Sequence, residues 1–181
     1  MGLPKVNTPE YRLTIPSTDK EIRFRPFLVQ EEKLLLIAQQ TGTENAMMDA
    51  IKQLIENCCF GELDLDKMPI FDMEYIFLQI RAKSVGEVVK LKVTCPDDKK
   101  TQVEIEVDLS TIQVQMSEDH DARIQLTDDI GLLMAYPSMG TMIGMQGKDV
   151  SGKEGVDALF DMICNCMYQI WQGDFDDEIE V

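Results

Sequence analysis

A chain of 181 residues, 44% hydrophobic and 28% charged, is long enough to bury a sizeable core and too apolar for wholesale disorder. Seventeen basic against 33 acidic residues give a formal net charge of −16 and an isoelectric point near 4.3, a field that repels phosphate backbones and excludes nucleic acid as the expected ligand. No apolar run approaches the roughly 20 residues that cross a bilayer, so the composition points to a neutral or basic protein partner, with the alternative that the charge serves only solubility.

The first twenty residues lack the apolar stretch of a signal peptide. Position 6 is Val6, where the myristoylation pattern needs Ser or Thr. The expectation is folding in a reducing cytosol, and five cysteines, an odd number set mostly on apolar stripes, fit free thiols better than a disulfide framework.

Residues 11–15 alternate apolar and polar, residues 16–20 (PSTDK) read as a turn, and residues 21–25 alternate again. The pattern predicts a hairpin over 11–25 that brings Leu13, Ile15, Ile22 and Phe24 to one core. Pro26 closes the second strand. A nearly all-apolar helix is predicted from about 30 to 41, with Gly42 as its stop. Thr43 caps a second helix over 44–59, whose Met47, Ile51, Leu54 and Cys58 share a face. After Gly61 and a loop, a third helix over 71–84 carries Phe71, Tyr75 and Leu78.

At Gly86 the period changes from helical to two. Val89, Leu91, Val93 and Cys95 alternate with Lys90, Lys92 and Thr94, and Val103, Ile105, Val107 and Leu109 alternate with Glu104, Glu106 and Asp108. This predicts a hairpin over 88–109 with one apolar and one charged face, lysines opposing glutamates. An acidic connector follows, containing a short alternating run at Ile112, Val114 and Met116. Segments 123–126 and 130–136 then flank Asp128-Asp129 as a further hairpin. Pro137 suits entry to a short methionine-rich helix with Met139, Met142, Ile143 and Met145. A Gly-rich stretch over 146–153 leads to a capping box at Ser151-Gly152-Lys153-Glu154 and a final helix over 153–172. Its core stripe is read as Val156, Leu159, Phe160, Ile163, Met167 and Ile170, before an acidic end with a weak strand pattern. Elements so segregated indicate an α+β fold with antiparallel hairpins. One domain spans 1–181, with or without a small β lobe: hairpin plus helices over 1–85, a β-rich part over 86–136, and a helical part over 137–181.

No catalytic constellation can be assembled. Cys58-Cys59, Cys95 and Cys164-Asn165-Cys166 lack the two-to-four-residue pairing of structural zinc ligands, and Cys95-Pro96-Asp97-Asp98 is a knuckle without its second thiol. They read as small hydrophobes. The single His120 sits in a polar connector without a visible nucleophile beside it. Asp128-Asp129 and Asp176-Asp177 lack the spacing of a calcium loop. No catalytic, cofactor-binding or metal-ligating residue is assigned. Twelve methionines, concentrated in or beside helices, fill cores or supply an adaptable partner-binding face around 134–145.

Two segments, NTPEYRLTIPSTDKEIRFRPFLVQEEKLLL from Asn7 to Leu36 and IQLTDDIGLLMAYPSMG from Ile124 to Gly140, followed by the ICNCM helix over 163–167, resemble the baseplate hub assembly protein family of T-even-like contractile-tailed bacteriophages. Relatives in that family often carry a fuller cysteine knuckle where this chain has Cys95-Pro96-Asp97-Asp98, a departure that weighs against zinc here, and they tend to continue past the acidic end, so a C-terminal piece is expected to be shortened or missing. The resemblance implies a non-enzymatic hub assembly factor or hub subunit, made in the host bacterial cytoplasm and acting at the virion tail baseplate. Its partners would be baseplate hub or tail proteins, in homo- or hetero-oligomers, with no membrane and no nucleic acid. Partner binding is expected at Arg25, Phe27 and Leu28, where aromatic and Arg residues combine as at interface hot spots, and at Met139, Met142 and Met145. The competing reading of Phe24, Phe27 and Leu28 is that they seat the hairpin on the helices. Competing functions are a cytosolic protein-binding adaptor without a phage role and a small thiol or metal enzyme using the cysteines and His120.

Overall fold

The computed structural model describes residues 8–117, 120–143 and 153–173. Helices and antiparallel strand pairs give the mixed α+β fold expected from the switch in periodicity. The described residues divide into two compact units, one drawn from Met1–Leu65 and Phe71–Val114, the other from Asp66–Ile70 and Gln115–Val181.

In the first unit, β1 (Tyr11–Thr14) and β2 (Glu21–Phe24) pair antiparallel with Leu13 opposite Ile22. The Ile15 amide donates to the Lys20 carbonyl at 2.9 Å to close the turn. Ile15, Ile22 and Phe24 are buried. They belong to a core that also takes Leu54, Ile55 and Cys58 from α2 (Glu44–Cys58) and Met73, Ile76 and Ile80 from α3 (Ile70–Val85). Helix α1 (Val29–Thr41) contributes Ala38 but leaves Leu36 and Ile37 exposed, so its apolar run is only partly used inside. Gly42 ends α1 at φ 70°, a left-handed conformation that favours glycine. Thr43 then caps α2 by accepting from the Ala46 amide at 3.3 Å.

After α3, β3 (Val88–Thr94) and β4 (Gln102–Asp108) form the predicted hairpin, with Lys90 opposite Glu106 and Lys92 opposite Glu104. Lys90 Nζ lies 3.1 Å from Glu106 and 3.9 Å from Glu104. The turn is held by Asp98, which accepts from the Lys100 and Thr101 amides at 3.0 Å each and from the Thr101 hydroxyl. These donors hold its carboxyl down at about 2. The run Ile112, Val114, Met116 forms no strand.

In the second unit, β5 (Arg123–Gln125), β6 (Ile130–Met134) and β7 (Met167–Gln172) make a three-stranded antiparallel sheet in that order. The two helices are α4 (Met139–Ile143) and α5 (Lys153–Cys166). The expected hairpin at 123–136 is present, but the final helix is six residues shorter than the sequence predicts. It stops at Cys166, and Met167–Gln172 pair with β6, Ile170 opposite Leu132 and Trp171 opposite Gly131. The physical reason is that β6 offers a free edge whose backbone groups need partners, and the aromatic and β-branched residues Tyr168, Ile170 and Trp171 favour a strand there. Trp171 lies directly over Gly131, where an added Cβ would fall 2.1 Å from the ring, so the strand crossing requires a residue without a side chain.

Candidate interaction surfaces

The junction after β2 is a locking device. Arg25 donates from its amide to the Cys58 carbonyl at 3.0 Å. Its guanidinium donates to the Pro26 carbonyl and to Glu31, each at 3.0 Å. Glu31 also accepts from the Leu28 amide at 2.7 Å, satisfying one of the orphan donors at the start of α1. Burial pushes Glu31 towards its neutral form, but the guanidinium and the Leu28 amide outweigh it and hold the carboxyl below its ordinary value. Phe27 is tied in turn through its amide to the Ser84 hydroxyl at 2.9 Å. Of the first trio of expected partner-binding residues, Arg25 and Phe27 are half-buried in this junction and Leu28 is exposed.

The methionine-rich segment divides in the same way. Met139 is 2% exposed and so belongs to the interior, while Met142 is half-buried. Met145 lies outside the described residues, as do the capping-box residues Ser151 and Gly152. Met142 is anchored through its amide to the Ser138 carbonyl at 3.1 Å.

Two apolar faces and a helix stripe are turned outward. On the β3–β4 hairpin, Leu91, Val93, Val103 and Ile105 are all exposed. On the three-stranded sheet, Ile124 and Ile170 are exposed in register across Leu132. On α5 the expected core stripe faces water: Val156 is 44% exposed, Leu159 37%, Phe160 62% and Ile163 41%. The buried side of the helix is built instead from Gly155, Ala158 and Cys166. Small residues let a helix approach its neighbours closely, and that competing demand decided which side turned in. The downstream part of the expected stripe is separated too: Met167 is half-buried, whereas Ile170 is exposed on β7.

Cys58, Cys59 and Cys166 are buried, Cys164 is exposed, and all five thiols are free. Burial pushes Cys58 up to about 11 and Cys59 up to about 12, which keeps them protonated and poor as nucleophiles at neutral pH. His120 stacks on Tyr136 with ring centroids 5.2 Å apart. Asp72 is fully buried and accepts from the Ser17 amide at 3.2 Å and from the Ser17 hydroxyl. Burial raises its carboxyl above the ordinary value despite those bonds. Among the described residues no three His, Cys, Asp or Glu side chains converge as a metal site would require, and no helix is long and apolar enough to cross a membrane.

No curated protein and no solved structure shows significant similarity to the chain. A family model described as T4 bacteriophage base plate protein matches residues 8–180, nearly the whole sequence, and covers all but Asn7 of the two segments on which the resemblance rested. The chain belongs to the T4 bacteriophage base plate protein family.

Proposed function

We propose that this baseplate protein acts without catalysis, as an assembly factor for the central hub or as a subunit of it, by binding other hub proteins. The observation that carries the reading is the extent of apolar surface left in water on ordered elements, the β3–β4 face, the sheet row through Ile124 and Ile170, and the α5 stripe. Contiguous apolar patches on an ordered domain mark protein-binding sites. The protonated buried thiols and the stacked His120 favour the binding reading over a thiol enzyme. Within the expected partner-binding residues, Leu28 and Met142 present accessible surface and would make the contact. Arg25, Phe27 and Met139 would position them.

Co-expression of the chain with each tail-hub protein of its phage tests the reading. A stable complex is expected, weakened by Leu28→Ser or Met142→Glu in protein whose circular dichroism is unchanged. Mass spectrometry of purified tails then separates the two roles, since a subunit persists in the finished particle and an assembly factor does not. No complex with any hub protein, together with complete hubs in phage lacking the gene, would remove the proposal.

A further inference from the structure

The stripe on α5 has the width of a core-facing helix seam but faces solvent. At 100° per residue, Leu159, Ile163, Val156 and Phe160 fall in that angular order across about 100° of one side. On one edge the stripe meets the buried small-residue side. Along the other run Asp157 and Asp161, both exposed. In the sequence, after Lys153 there is no Lys, Arg or His, against eight Asp and Glu, so half of the chain's net charge of −16 lies in its last 28 residues. A second copy is a poor occupant, because antiparallel apposition sets the Asp157 and Asp161 edges against one another and the net charge of −16 repels a second chain in any orientation. Anionic lipid is repelled for the same reason.

We infer that the outward face of α5 is a docking site for a basic amphipathic helix of another protein, whose apolar anchors cover Val156, Leu159, Phe160 and Ile163 and whose Lys or Arg residues meet Asp157 and Asp161. Helix-on-helix docking uses anchors at spacings of three and four, the spacing this stripe presents. The apolar contact supplies affinity, and the charges select the partner and its orientation. The inference does not require the partner to be a hub protein; any partner with this chemistry satisfies it.

The test uses the full chain and two labelled 18-residue helical peptides with the same leucine pattern, one with lysines and one with glutamates at the flanking positions. Fluorescence anisotropy is expected to show binding of the lysine peptide and at least tenfold weaker binding of the glutamate peptide. Phe160→Ser should weaken the lysine peptide at least tenfold; the residue is 62% exposed, so circular dichroism should be unchanged. Asp157→Lys with Asp161→Lys should reverse the preference between the peptides. Val103→Ser, on the separate β3–β4 face, should change neither. The inference is overturned if the lysine peptide does not bind, if it binds Phe160→Ser as well as wild type, or if both peptides bind alike. It is equally overturned if sedimentation shows that the stripe is occupied by a second copy, with self-association abolished by Phe160→Ser.

Discussion

Replacing Glu31 by Leu isolates what holds the junction between β2 and α1. The Glu31 side chain is 4% exposed and its partner guanidinium on Arg25 is 15% exposed, at an N···O distance of 3.0 Å. Leucine keeps buried volume and helix propensity but leaves a mostly buried cation beside an apolar group and an uncapped Leu28 amide. Breaking a buried pair by removing one partner costs about 3–5 kcal/mol. Arg25 retains the Pro26 carbonyl at 3.0 Å, which places the expected loss at the low end, about 3 kcal/mol. For a chain of this size that corresponds to a fall in Tm of roughly 6–12 °C. Urea unfolding followed by far-UV circular dichroism should report it. Arg25→Met combined with Glu31→Leu should recover much of the loss, with a coupling energy of about 1.5 kcal/mol or more. The pH dependence carries a sign. The folded-state Glu31 carboxyl is held below its ordinary value of 4.5, so its contribution is present above that value and is lost as pH falls through the lowered one. The gap between wild type and Glu31→Leu should therefore narrow in acid. A loss below about 1 kcal/mol, or strictly additive single effects, would refute the assignment of Arg25 to an internal lock.

Gly131→Ala would press a methyl group into the Trp171 ring. A destabilisation of about 1–3 kcal/mol is expected, with a shift in intrinsic fluorescence that reports this strand crossing alone, since the chain has one tryptophan. Lys90→Glu turns the cross-strand row into like charges facing Glu104 and Glu106. It should cost about 0.5–1 kcal/mol, less at high salt, with faster amide exchange confined to 88–94 and 102–108. At pH 8 a thiol reagent should reach Cys164 in the native protein and Cys58 and Cys59 only after unfolding. Peptide mapping that found Cys58 or Cys59 labelled early would contradict their burial.

The hairpin over 88–109 and the second helix were legible because their periods are unambiguous, two residues across 88–94 and 102–108 and three to four across Met47, Ile51 and Leu54, whereas the first helix was marked by its apolar run and the Gly42 stop. The end of α5 was not. Met167 and Ile170 stand three apart, the spacing of a helical stripe, yet in β7 they fall on opposite faces, and only the open edge of β6 turns the stretch into a strand. The direction of the α5 stripe was hidden for a related reason. Amphipathicity shows that a helix has an apolar side but not which side meets the core. The available signal was Gly155 and Ala158, three residues apart on a small, flat side fit for close packing. At the junction, Arg25 and Phe27 match the composition of an interface hot spot. Glu31, three residues after Leu28, stands where a capping carboxylate reaches back to the start of its helix, and Arg25 serves that carboxylate.

Charge and exposed apolar surface explain one another in this molecule. An amphipathic stripe in water is a liability, because any complementary apolar surface, including another copy, can cover it. A net charge of −16 opposes that outcome by repulsion between copies. Screening confines the repulsion to about 8 Å at physiological salt, so it protects best where carboxylates stand beside the apolar groups, as Asp157 and Asp161 stand beside Phe160. The same arrangement fails against a basic surface, where repulsion becomes attraction at the moment the apolar groups meet. A baseplate component must stay dispersed until its neighbour arrives and then bind it, and an acidic chain with uncovered apolar elements meets both demands through one distribution of side chains.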